Sequence, residues 1–445
     1  MNPARRGFLG TSAAALGAAL MPGRLLAEVA ARTPAMPALD TWDAVRKQFR
    51  LSPDYLHFSG FFLASHPAPV RAAIDALRDA LDDNPFLVVE RGMFEDESRN
   101  LELKVCADIA NYIGGAAREI ALTSSTTASL SLVYHGLKIG PGEEILATTH
   151  DHYVHHEAIR LSTERNGASS RRIALFDESQ DATVDDIVGR IRAAIRPNTR
   201  VLGITWVHSA SGIRLPVREI TAAVAEINAG RDEAKRVLVV LDGVHAIGAV
   251  DETIATLGVD YFCAGTHKWM FAPRGTGFLW ARAENWARLR PLMPTFSDNE
   301  LYNAWTEERA PKGPTVAAQV TPGGFHAFEH AWAAGAAFAM HQQIGRARVA
   351  ARIRELNTRC KDGLVEIPGV TLRTPRDPAL SAGLCCFEVK GKSAADVAHA
   401  LLEHRVIGSA SPYAVSYARL AAGLMNTPEE VDLALAAVRK VAAAA

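Results

Sequence analysis

Asp242 and Lys268 are the two residues of this 445-residue sequence around which a reaction can be written. A lysine amine condenses with a carbonyl cofactor to give a Schiff base, and a carboxylate opposite can pair with a pyridinium nitrogen. That carboxylate keeps the ring nitrogen protonated, which makes the ring an electron sink for a carbanion at a substrate Cα. The amine, once displaced by substrate, can shuttle the Cα proton. Taken alone, the same two residues also fit a surface lysine and a strand-end aspartate that never meet.

The elements around them argue that they do meet. Residues 237–241 form an apolar run that reads as a strand buried on both faces. Asp242 then falls at its carboxyl end, where open α/β sheets build their sites. A second apolar run, 259–264, delivers Thr266, His267 and Lys268 to the same edge. Further back, a short strand over 120–122 runs into Thr123-Ser124-Ser125-Thr126-Thr127 and then a helical segment. A strand, a turn of small hydroxyl residues and a helix N-terminus make an anion site, with Ser125, Thr126 and Thr127 as a phosphate cradle. The order from 120 to 277 is repeatedly strand then helix, as in a mostly parallel sheet.

The motifs Asp242-Gly-Val-His-Ala246, Gly265-Thr-His-Lys-Trp269 and Pro273-Arg-Gly-Thr-Gly277 resemble the class V aminotransferases, in the isopenicillin N epimerase-like branch. The resemblance implies a fold type I α/β enzyme. Its large domain carries a mostly parallel sheet, its C-terminal domain is smaller and α+β, and its cofactor is pyridoxal 5'-phosphate. It makes Lys268 the cofactor lysine and Asp242 the pyridinium partner. His245 contacts the phenolic oxygen of the ring and His267 the phosphate, with Thr266 beside them. Tyr153 is placed to stack on the ring, with His152 as the second candidate. His208 and Ser209 follow a strand over 200–205 and lie near the ring or substrate; desulfurase-type relatives often carry asparagine at the position of Ser209, and glycine often stands where Ser125 does. Arg419, followed seven residues on by Asn426-Thr427, is the clamp for a substrate α-carboxylate. His57 belongs to the family's entry segment and is a further candidate for substrate contact. Relatives offer a Gly-Thr segment to the partner subunit's phosphate, so a homodimer is implied. Here Phe325 follows Gly324, and that threonine is absent.

Composition narrows the classes. Net charge is −1 with well-mixed charges, which gives no footprint for nucleic acid. The five cysteines form no CxxC pair. Four histidines lie between 150 and 156, but no carboxylate–histidine helix motif accompanies them, and no metal is expected. Residues 1–31 read as an address: Arg5-Arg6 precede a short apolar run and resemble a Tat export signal, cleaved after Ala27 or Ala31. The implied partner is the Tat translocase and the implied destination the periplasm. The mature chain then divides into an N-terminal arm over 32–70, a large cofactor domain over 71–343 and a small domain over 344–445. Helices are expected over 40–49, 69–81, 94–113 and 328–343, and an unpatterned stretch over 299–321.

The reaction is bounded by chemistry. Desulfuration needs a mobile cysteine in the loop before the late arginine, and residues 405–413 hold none. Epimerisation needs proton carriers on both faces of Cα, and Lys268 supplies one. Transamination needs Lys268 alone, and elimination remains open as well. The expected substrate is an amino acid or the amino-acid moiety of a peptide-like metabolite. Exported members of this branch also resemble the enzyme that modifies the glutamate side chain of pyoverdine-type siderophores, which is the alternative. A binding protein on the same scaffold would be expected to lose Lys268 or Asp242, and both are present.

Overall fold

The computed structural model describes residues 34–94 and 100–444. The expected export segment lies outside the described residues. The arm carries a helix only over Trp42–Arg46, shorter than the 40–49 expected, because the Thr41 hydroxyl caps it and the chain turns off after Lys47. Helix α1 (Ala68–Asp83) opens at Pro67 and closes at Asn84, where Pro85 begins a new short helix. The helix expected over 94–113 instead begins at α2 (Leu101–Ile113). The Asn100 side chain accepts from the Leu103 N–H there, taking up a donor that would otherwise be orphaned.

The central sheet uses β1 (Ile120–Thr123), β2 (Glu144–Thr148), β3 (Ser169–Ile173), β4 (Thr199–Thr205), β5 (Leu238–Asp242), β6 (Tyr261–Gly265) and β7 (Gly277–Ala281). Helices α3 (Thr126–Gly136), α4 (Tyr153–Asn166), α5 (Val184–Ala194) and α6 (Val217–Asn228) connect the first five. Their spatial order is β1-β7-β6-β5-β4-β2-β3. Every residue of β5 and β6 is buried, which explains runs without polar alternation. All neighbours pair in parallel except β7, which is antiparallel to both β6 and β1. The link from β6 to β7 is a loop too short for a crossover helix. That loop is where Lys268 sits.

Helix α7 (Phe328–Ile344) packs on α1 and α2 in the large lobe; the second lobe begins with α8 (Arg346–Val365), broken from α7 at Gly345 with φ +93°. It continues through β8 (Val370–Leu372), β9 (Cys385–Val389), α9 (Ala394–Glu403), β10 (Ser409–Ala410), β11 (Ala418–Leu420) and α10 (Pro428–Ala443). Its antiparallel sheet has the order β10-β11-β9-β8. Leu56–His57, from the arm, pairs in parallel with Val406–Ile407 of this lobe. Adjacent Cys385 and Cys386 point to opposite sides of β9, one into the small-lobe core and one into the large core. The stretch expected to be unpatterned holds short helices at Asn299–Thr306 and Ala317–Val320; Asp298 caps the first.

Candidate active site

The loops leaving β2, β4, β5 and β6 converge at the carboxyl edge of the large sheet, and β11 with its preceding loop meets them from the second lobe. Asp242 ends β5 and is only 2% exposed. Its Oδ1 accepts from the Val244 N–H at 3.0 Å. Burial lifts its carboxyl above the usual range, opposed first by His155 and then by the Val244 N–H and Lys268. Among the described residues it has no ion-pair partner.

Lys268 reaches the same place from the β6–β7 loop, with Nζ 3.0 Å from His245 Nε2. Burial brings its amine down to about 8, with Asp242 opposing and Arg419 adding to the shift. A neutral amine is therefore within reach near neutral pH. Burial, then the cations Lys268 and Arg419, hold His245 well below its ordinary value. With the lysine donating to Nε2, the imidazole proton sits on Nδ1, a buried N–H with no partner among the described residues.

Arg419 lies in β11 and is 4% exposed. Nη1 donates to the Ser209 carbonyl at 2.9 Å, Nη2 to the Ala410 carbonyl at 2.9 Å, and Nε to Ser409 Oγ at 3.1 Å. The guanidinium stands 4.8 Å over the Phe61 ring, and Phe61 also packs on His245. No carboxylate of the described residues pairs with it. Among the described residues neither Arg419 nor Asp242 makes an ion pair, and both act electrostatically on Lys268; a buried charge without a paired partner is costly unless a ligand compensates it.

The phosphate cradle has a more specific construction than its hydroxyls suggested. Ser125 Oγ accepts from the Ala128 N–H and so caps α3. Thr126 Oγ1 accepts from the Gly265 N–H at 2.7 Å, which locks β6 to the helix start. The N–H groups of Thr126 and Thr127 lie in the first turn, which has no intrahelical acceptors. Thr266 turns its hydroxyl to Thr276 Oγ1 at 2.6 Å and braces the β6–β7 loop, and it lines a cavity with Thr123, Ser124 and Gly277. His267 is held neutral to about 4, by burial first and by Lys268.

Several expected residues fall elsewhere. Tyr153, placed first for ring stacking, is 64% exposed on the first turn of α4. His152, the helix N-cap, is the residue turned toward Lys268 and Arg419; burial and those cations bring it down to about 4. His208 is not beside the clamp: it packs near His150 and Asp151, and burial brings it to about 3. His57 lies in a groove with Arg46, Asn426 and Glu430, its Nε2 at 2.9 Å from the Ser52 carbonyl, and does not join Lys268. Ser209 does join the site. Its Oγ is 2.7 Å from the hydroxyl of Tyr413, a residue that sequence reasoning missed. Missed as well was the buried set Tyr134–His155–Asp151 behind Asp242, with Tyr134 OH at 2.6 Å from His155 Nε2. Among the described residues no cluster of histidine, cysteine or carboxylates is placed to hold a metal ion.

A family model described as aminotransferase class-V matches residues 93–433. The chain belongs to that family. Among its relatives is the isopenicillin N epimerase of Streptomyces clavuligerus, 28% identical over 73% of this chain and 80% of the relative. Another is a probable cysteine desulfurase of Mycobacterium leprae, 26% identical over 85% of each chain. In fold the chain is similar to the apo cysteine desulfurase of Thermococcus onnurineus, with TM-score 0.75 at 19% identity over 92% of this chain and all of that one. It is also similar to a C-DES variant with glycine covalently linked to its pyridoxal-phosphate cofactor, with TM-score 0.74 at 20% identity over 88% of this chain and 98% of that one. The fold is therefore that of the fold type I pyridoxal-phosphate enzymes.

Pyridoxal phosphate is the cofactor of this member of the class V family, and the residues present fit it. Among the described residues Asp242 is a buried carboxyl without an ion pair, and His245 Nδ1 is a buried donor without an acceptor. The backbone at the cradle is too close for any side chain: a Cβ on Gly277 would stand 2.9 Å from the Ala264 carbonyl oxygen and 3.1 Å from the Ser125 nitrogen. Glycine there lets β7 press against the helix terminus that suits a phosphate.

Proposed function

We propose that this enzyme acts at Cα of an α-amino acid, free or within a peptide-like metabolite, and that it inverts that centre as an epimerase. The observation that carries the reading is Arg419, a buried guanidinium near Lys268 that pairs with no carboxylate among the described residues. Its fork suits the two oxygens of an α-carboxylate. Lys268 is the cofactor lysine and the base at Cα, its amine made available by burial. Asp242 serves the ring nitrogen, His245 the phenolic oxygen, and the first turn of α3 with His267 the phosphate. When bound, pyridoxal phosphate supplies an electron sink for the pair left at Cα. Lys268 then holds the abstracted proton, and Arg419 fixes the carboxylate so that Cα stays within its reach.

Against desulfuration, all five cysteines are buried. Burial raises the thiols of Cys106, Cys263, Cys385 and Cys386, and a thiolate is what that reaction needs. The test begins with the purified enzyme, reduced with borohydride and mapped by mass spectrometry. The cofactor is expected on Lys268, and a label on any other lysine rejects the assignment. A panel of L-amino acids is then supplied without an amino acceptor. Appearance of the D-isomer supports epimerisation. Oxo-acid formation that depends on an added acceptor, or sulfide release from cysteine, would replace it with transamination or desulfuration.

A further inference from the structure

We propose that the Tyr413 hydroxyl is the second proton carrier of this site, delivering a proton to the substrate Cα from the flank opposite Lys268. This rests on the reading of Cα chemistry above and extends it. The sheet order sets the two flanks. Lys268 arrives from β6 on one side of Asp242, whereas Ser209 and His152 arrive from β4 and β2 on the other. Tyr413 joins the second group, with its hydroxyl 2.7 Å from Ser209 Oγ and its ring edge-on to His152 at 6.0 Å.

The loop that carries Tyr413 is built to present it. Ser411 N–H donates to the Tyr417 carbonyl, Tyr417 N–H donates to Ser411 Oγ, and Ser416 Oγ donates to the Ser411 carbonyl. Pro412, Ala414 and Val415 are exposed while Tyr413 turns in. Arg419 ties the base of this loop, through the Ala410 carbonyl, to the Ser209 carbonyl. The group that would hold the substrate carboxylate therefore also fixes where Tyr413 stands. Burial pushes the phenol up to about 12, so it is a proton donor. His152, the other candidate on this flank, is neutral down to about 4 and caps α4 instead.

In the step, the Lys268 amine takes the α-proton and the C–H bond on its side breaks. The Tyr413 O–H bond then breaks and its proton forms a new C–H bond on the other side. The phenolate, next to the Ser209 hydroxyl and Arg419, regains a proton from water. The Lys268 ammonium returns one to water, and the cycle closes without net change in protons.

Glycine tests this, because its two α-hydrogens differ only in the face they occupy. The holoenzyme is incubated with glycine in deuterium oxide and followed by proton NMR. The parent is expected to replace both hydrogens. Tyr413→Phe is expected to stop at singly deuterated glycine, with the second exchange slowed at least about 100-fold and the first retained. Both hydrogens exchanging at the parent rate in Y413F would overturn the role of Tyr413 alone. A parent that exchanges a single hydrogen also overturns it and leaves a one-base enzyme. A parent that exchanges neither removes the Cα reading itself. Should Y413F fold poorly, 3-fluorotyrosine at position 413 keeps the shape and lowers the phenol pKa. The pH profile of the second exchange must then move to lower pH, and an unmoved profile rejects the proposal.

Discussion

At the scale of single residues, the site is defined by charges left without partners. Arg419 gives three hydrogen bonds to neutral oxygens and none to a carboxylate, and the balance of a buried cation is completed only by an anion from outside the chain. Arg419→Lys keeps the charge but loses the fork. The Kd for glycine, read from the change in the visible spectrum, is expected to rise at least about 30-fold, or about 2 kcal/mol. The Kd for methylamine, which has no carboxylate, is expected to stay where it is. An equal rise for both would mean that Arg419 acts only as a structural brace. Residue types made Asp242, Lys268 and Arg419 legible in the sequence, since each stands in a motif of fixed spacing. The choice between His152 and Tyr153 was not legible. It depends on which of two adjacent residues becomes the helix N-cap, and the chain turns one in and leaves the other exposed.

At the scale of elements, the strands expected over 120–122, 200–205, 237–241 and 259–264 could be read from apolar runs, and the structure has β1, β4, β5 and β6 there; β3, Ser-Ser-Arg-Arg-Ile, carries no such run. The direction of β7 was less visible, because an antiparallel return and a parallel crossover leave the same apolar run of five residues. What fixes it is the short β6–β7 loop, braced by Thr266 and Thr276. Likewise Tyr413 lies in a loop without periodicity, and its inward turn follows from contacts with Ser209, which is 204 residues away. The meeting of β7 with α3 gives a direct prediction. In Gly277→Ala the new Cβ meets backbone atoms that cannot give way, so stability is expected to fall by about 1–3 kcal/mol, read as a lower urea midpoint at unchanged slope. Gly140→Ala, whose Cβ would meet nothing within 4 Å, is the control. Equal midpoints for the two variants would show that the cradle is not closely packed.

At the scale of the whole molecule, an enzyme whose pocket is assembled from both lobes suits an export route that carries folded, cofactor-loaded proteins, and we propose that the chain takes it. Replacing Arg5 and Arg6 by Lys is expected to leave the precursor in the cytoplasmic fraction with its cofactor bound; normal arrival in the periplasm would reject the Tat route. Export was read from residues outside the described structure. One feature of the fold does bear on how the chain is made. The strand pair joining Leu56–His57 to Val406–Ile407 links segments 350 residues apart. At elongation rates of about 5–20 residues per second the first of them waits roughly 20–70 s for its mate. The small lobe, and with it Arg419 and Tyr413, therefore closes only near the end of synthesis, long after the chain of the large sheet with Asp242 and Lys268 has been made.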